Sequence, residues 1–443
     1  MNTQAASMSL HSTMPPMRDN PEDTVDARMV NNPDGSNGHG GRLLNRYPQL
    51  LVWIQKYIDE GVKQANMPQA LSDDHGVSTS LRTVERYIKD YHLRTTRHPQ
   101  VSVEDQGAAI LAITAEDPLG TWGGRKVKEK LGLTSIHIPR RFIDMFRAAH
   151  DANAAALRRP GARKVHTRGL FASGLDEEWC IDGHEKILNS MGISVYGIIN
   201  KFSRRELLLR AVPDSRTADV PPALYLQLVR QLKGIPIQTV TDKGSETGKL
   251  AALQTSLRQL LYPDLSLEIV PAHRSVKSVY NITCERGWRP IWEKELANVK
   301  HEYESGKVAS GFHPDNPIHE GVCLWLWGRI VQLRLDKIQY ENGIHRVRKQ
   351  ASRLLPTGGR IIDFYEHPER YGGDMQLISI DDIHLPLIDH LIEEHSPAEK
   401  LQFGSNDMVV LCEAIFAGIG SPDVSALNGW AVFSHMIAKY NEV

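Results

Sequence analysis

Between residues 179 and 212 the chain carries three short runs of strand character with no helical period between them, and from 221 onward helix and strand patterns alternate. No other feature constrains the fold as much. Trp179–Ile187, Ile193–Phe202 and Glu206–Val212 read as strands separated by turns. Pro221–Leu232 then reads as a helix, Ile235–Val240 as a strand, Glu246–Leu261 as a helix and Leu267–Val270 as a strand. Val279–Tyr303 is mostly helical, interrupted early by Gly287 and Pro290. The first three strands can form a meander, whereas the later ones need crossovers. The order predicts a mixed five-stranded sheet covered by helices, an α/β core.

The flanks read differently. Residues 1–40 are polar, without a sustained apolar period, and read as a disordered tail. In 41–98, Leu50, Ile54 and Ile58 mark a helix by recurring every four residues. A helix near Met67–Ser72, a turn at Gly76 and a helix capped by Ser78 or Ser80 follow. In that last helix Leu81, Val84 and Ile88 are expected to face inward and Arg82, Arg86 and Lys89 outward, a helix-turn-helix layout suited to DNA. A helical hairpin with a solvated charged face is the plainer alternative. Residues 99–175 hold a second such unit, Arg125–Gly132 and Ile138–Ile143, with Gly132 expected at a helix end and Arg140 and Arg141 opening the next helix. A linker with Arg158, Arg159, Arg163, Lys164 and Arg168 and no acid follows, suited to tracking phosphates. The core spans 176–305, a helical extension (long helix 318–352) spans 306–365, and 366–443 reads as an accessory helical region.

Composition narrows the function. Lys plus Arg number 52 against 53 Asp plus Glu, so a nucleic-acid site must be a local patch. Four cysteines without a C-x-x-C pair argue against a disulfide framework or a cysteine-based zinc module. No apolar run is long enough for a membrane span and no secretory leader is read.

Three acids could carry chemistry. Asp182 sits inside the first core strand, and Asp242 ends the fourth, with Gly244 allowing a tight turn after it. Neighbouring strands could bring the two together, where a divalent cation would relieve their repulsion. Glu285 shares a helix face with Asn281, with Ser278 further back. Three hard oxygen donors suit Mg²⁺ or Mn²⁺ and two-metal phosphoryl transfer. Each acid also has a plain structural reading. Asp182 could bond a backbone N–H, Asp242 could close an Asx-turn, and Glu285 could pair with Arg286 or Lys294. The Trp288/Trp292 and Trp325/Trp327 pairs, and Cys180 and Cys284, read as packing residues.

Taken in order, these motifs resemble the integrase core domain proteins of fungal and animal genomes, kin of the DDE transposases and retroviral-type integrases. The resemblance rests on Trp179, Ile181-Asp182-Gly183-His184 and Lys186; on Phe202-Ser203-Arg204; on Asp242, Gly244 and Glu246; on Ser278, Asn281, Glu285, Arg286 and Trp288; and on Asn342, His345 and Arg348. It departs at Thr247, where an Asn is usual, and at Cys284, where an Ile is usual. The resemblance implies a ribonuclease H-like fold. It makes Asp182, Asp242 and Glu285 catalytic ligands of two Mg²⁺ or Mn²⁺ ions, supported by His184, Lys186, Glu246, Ser278, Asn281 and Arg286. It implies DNA as partner, a homo-oligomer on DNA, a nuclear location, and DNA end hydrolysis followed by strand transfer. The alternatives are a catalytically inactive DNA-binding descendant and a nuclease acting on RNA in hybrids.

Overall fold

The computed structural model describes residues 43–97, 101–150, 170–185, 188–276, 281–351, 353–395 and 398–442. The tail read at 1–40 lies outside them, as do Arg158, Arg159, Arg163, Lys164, Arg168, Lys186 and Ser278. The chain divides into two units, 1–53 and 54–443. In the first, Leu43–Arg46 forms one helical turn, and helix α1 (Leu50–Asp59) begins there.

The second unit is built on a five-stranded sheet: β1 (Glu178–His184), β2 (Ser194–Asn200), β3 (Glu206–Val212), β4 (Gln238–Asp242) and β5 (His273–Val276). Its order is β3-β2-β1-β4-β5. The meander β1–β2–β3 is antiparallel, and β4 and β5 add in parallel. Helix α7 (Val220–Leu232) makes the crossover from β3 to β4, and α8 (Gly248–Leu261) the one from β4 to β5. This is the mixed sheet expected, in a ribonuclease H-like integrase core arrangement with helical flanks.

The expected fifth strand is corrected. Leu267–Val270 forms turns, and β5 is the polar run His273-Arg274-Ser275-Val276. An edge strand has one partner and need not be apolar. Backbone pairing to β4 fixes it, helped by the His273 ring, which meets the Thr239 hydroxyl at 2.9 Å.

Helix α9 (Ile282–Ile291) lies over β1 and β2. Gly287 does not weaken it idly, since a Cβ there would come within 2.6 Å of Ile199, so the glycine lets the helix approach the sheet. Pro290 is followed by a π-helical stretch, Trp292–Leu296, before α10 (Ala297–Gly306) resumes. The long helix α11 (Pro317–Ile344) stops short of the expected 352, and His345 turns to extended backbone.

Two apolar layers flank the sheet. One gathers Ile199, Cys284, Trp288 and Trp327 beneath α9 and α11, and the other gathers Trp179, Tyr225 and Leu250 beneath α7 and α8. The C-terminal region enters both. Ile388 of α13 (Leu385–His395) joins the second layer. Cys412 of α14 (Asn406–Gly418) and Trp430 of α15 (Gly429–Tyr440) join the first, where Trp430 donates to the Tyr303 carbonyl at 2.8 Å.

The N-terminal helices of this unit follow their capping signals. Helix α2 (Met67–His75) ends at Gly76, in the left-handed region at φ 64. Ser80 caps α3 (Leu81–Asp90). Val84 and Ile88 are buried as expected, but Leu81 is 37% exposed, and Tyr87 fills the third inward position. Next come α4 (Val103–Ala115), α5 (Gly124–Leu133) and α6 (Arg140–His150). Gly132 lies inside α5 and does not end it. A Cβ there would come within 2.7 Å of the Asp59 carbonyl, so the residue serves a close approach between helices.

Two of the four basic residues of α5 turn inward, while Arg125 and Lys128 stay exposed. Lys130, 3% exposed, pairs with Glu341 at 2.7 Å, and Lys126 reaches Glu341 at 3.0 Å and Glu295 at 3.2 Å. Arg334 of α11 also pairs with Glu295. These two lysines are the counter-ions of buried acids. Breaking such a pair from one side typically costs about 3–5 kcal/mol.

Candidate active site

Asp182 stands on β1 directly opposite Gly197 of β2. β1 and β4 run parallel with Cys180 opposite Val240, and Asp182 and Asp242 each follow two residues later. Side chains two apart on a strand share a face, so both carboxylates leave the same face of neighbouring strands.

Gly197 lets α9 complete the arrangement. A Cβ at that position would lie 2.9 Å from the Trp288 ring, so its absence seats the indole beside Asp182. The indole N–H donates to Asp182 Oδ2 at 3.0 Å. Trp288 was read from sequence as packing alone, and its polar role was missed, though its place in the Glu285 motif was visible. His184 stands edge-on to the same indole, ring centres 5.6 Å apart.

Burial, then the charge of Asp242, raise the Asp182 carboxyl to about 7; Trp288 and the Gly183 backbone oppose this, and Glu285 adds to the rise. Glu285 therefore stands close enough to act on Asp182 from the first turn of α9, where its side chain is exposed. Asp242 also closes the Asx-turn, taking the Gly244 N–H at 3.3 Å. Glu246 folds back over Gly244 in the same loop, where a Cβ would come within 2.0 Å of its carboxylate.

Residues 174–357 match the family model of the integrase core domain. This segment is an integrase-like core domain. The match spans the whole sheet and all three acids. No curated protein matches the chain. Integrase core domains are generally dependent on a divalent metal, and the family points to integrase- or transposase-like function with nucleic acid partners.

The donors of this integrase core fit a hard cation. All are carboxylate oxygens, and their mutual repulsion is what a cation removes. The Asn281 amide, 3% exposed just ahead of α9, reaches the Cys284 thiol, yet neither of its polar atoms completes a hydrogen bond of good geometry. The triad is open: among the described residues, the donors that all close to within 4.8 Å of one another are those of Asp74, Glu366 and His367 instead.

Other expected residues are dispersed. Arg82, Arg86 and Lys89 are exposed on α3, as are Arg140 and Arg141 at the start of α6, where Arg140 pairs with Asp144 at 3.3 Å. Arg286 is exposed on α9 beside Glu285. Cys180 and Cys284 are buried and free, as packing residues would be. No described helix is long and apolar enough to cross a membrane.

Proposed function

We propose that this chain is a transposon-derived integrase- or transposase-like protein that binds DNA, hydrolyses a DNA end and joins the resulting 3′-hydroxyl to target DNA. The observation that supports this best is the parallel register that presents Asp182 and Asp242 on one face beneath Glu285. Asp182, Asp242 and Glu285 would hold Mg²⁺ or Mn²⁺. When bound, two such ions supply Lewis-acid activation of the attacking oxygen and charge relief at the leaving one. The chain itself orients the donors. Trp288 holds one oxygen of Asp182, and the Gly183 backbone also bonds the carboxylate, so its orientation is fixed. His184, Lys186, Glu246, Ser278, Asn281 and Arg286 are assigned supporting roles. Arg82, Arg86, Lys89, Arg140, Arg141, Arg158, Arg159, Arg163 and Lys164 are assigned to the phosphate backbone, with the protein acting in the nucleus as an oligomer on DNA.

The test is cleavage and joining of end-labelled duplex DNA by the full chain in Mn²⁺, against Asp182→Asn. Products from the wild type alone support the reading. DNA binding by both proteins with no product from either would replace it with an inactive, DNA-recognising descendant.

A further inference from the structure

We propose that Asp74, Glu366 and His367 form a second metal site, for a divalent transition ion of the Zn²⁺ class, distinct from the carboxylate triad. Asp74 is near the end of α2, Glu366 ends helix α12 (Ile361–Glu366), and His367 follows it. One donor atom from each lies within 4.8 Å of the other two.

An imidazole in the set separates this site from a patch of surface acids. The His367 ring nitrogens make loose ion-pair contacts, with Asp73 at 3.4 Å and Glu369 at 3.8 Å. Among the described residues, no side-chain hydrogen bond occupies Glu366, and its carboxylate meets that of Asp74 and the His367 ring within 4.8 Å. Two carboxylates and one imidazole converge here, a set that a divalent cation would hold together.

The frame around this place is held by other residues. Arg370 grips Asp73 with two bonds of 2.6 and 2.7 Å, joining the segment after α12 to α2. Arg360 ties Glu60 at 3.0 Å to Asp363 at 2.7 Å. The Tyr57 hydroxyl donates to Asp74 at 2.6 Å and orients it. The backbone carrying the donors and the Asp74 carboxylate are thus set in place without the ion, which lowers the ordering cost of binding.

Donor chemistry selects the ion. Imidazole with carboxylates suits Zn²⁺ and its neighbours, whereas Mg²⁺ prefers oxygen alone and keeps its water. The bound ion would pin α2, and with it the α2–α3 pair, to the end of α12. This inference does not depend on the integrase reading.

The experiment is equilibrium dialysis of the full chain against Zn²⁺ with excess Mg²⁺ present, counting Zn²⁺ per chain. The wild type should hold one more Zn²⁺ than His367→Gln, and Asp182→Asn should hold as many as the wild type. Glu366→Gln, at an exposed residue, repeats the comparison if His367→Gln does not fold by circular dichroism. Equal Zn²⁺ in the wild type and a folded His367→Gln or Glu366→Gln overturns the site. So does loss of the extra ion in Asp182→Asn, or its displacement by Mg²⁺.

Discussion

Asp182→Asn should change the sign of its effect with metal. In the metal-free protein Asp182 is buried near Asp242 and Glu285, and its carboxyl is raised from 3.8 to about 7. A raised acid binds its proton more tightly when folded, so its contribution falls as pH rises from about 4 to about 7 and stays lost above. At about 1.4 kcal/mol per pKa unit, that interval is worth at most about 4 kcal/mol at pH 8. Asparagine removes the charge, keeps the shape and can still accept the Trp288 N–H. In EDTA at pH 8 the variant should therefore be more stable than the wild type, by about 1–3 kcal/mol once relaxation is allowed for. At roughly 2–4 °C per kcal/mol for a domain of this size, thermal melting resolves the difference. At pH 4.5 most of this difference should be gone. In millimolar Mg²⁺ the order should reverse, because the wild type gains RT ln(1 + [L]/Kd) and the variant loses a ligand. Mg²⁺ is the right probe, since the imidazole-containing cluster at His367 should not take it. A variant less stable than the wild type in EDTA, or equally stabilised by Mg²⁺, would refute the reasoning.

Three further outcomes are expected. Replacing Arg82 and Arg86 by Ala should weaken duplex DNA binding more than tenfold at low salt and flatten its salt dependence, measured by fluorescence anisotropy; unchanged affinity would return α3 to a solvated helix face. Gly197→Ala should cost about 1–3 kcal/mol in chemical denaturation by pushing the Trp288 ring off the sheet, and abolish the Mg²⁺ response with it; a silent substitution would mean the close approach is not needed. Glu341, held down to about 2 against burial by Lys126, Lys130 and Arg334, contributes stability that is present above about 4.5 and lost as pH falls toward 2. Glu341→Gln should therefore be strongly destabilised at pH 7, and its acid-unfolding profile should be flatter than the wild type's.

The sequence by itself determined the order of elements and the chemistry available to them. Alternating runs fixed β1 to β4, because a strand buried on both faces must be apolar and a turn must be polar. Asp182 and Asp242 stand out because a carboxylate within such a strand, or ending it beside a glycine, is costly without a partner, whereas Glu285 is marked only by the motif around it. Local signals offer Ser78 or Ser80 as a cap and a turn at Gly76, and the structure uses Ser80 and ends α2 at Gly76. Tertiary structure decided everything that depends on a distant partner. β5 is polar and exists because β4 offers it a backbone edge, so no periodicity could reveal it. Nothing local to Lys126 and Lys130 foretells that Glu295 and Glu341, far along the chain, turn them inward. Gly197 and Trp288 acquire their role only when α9 lies across the sheet. Asp74 and Glu366 meet only because the last turn of one helix packs against the end of another. Local free energies are written in neighbouring residues, whereas the desolvation and charge pairing that define a site are set by groups the chain brings together only when it folds.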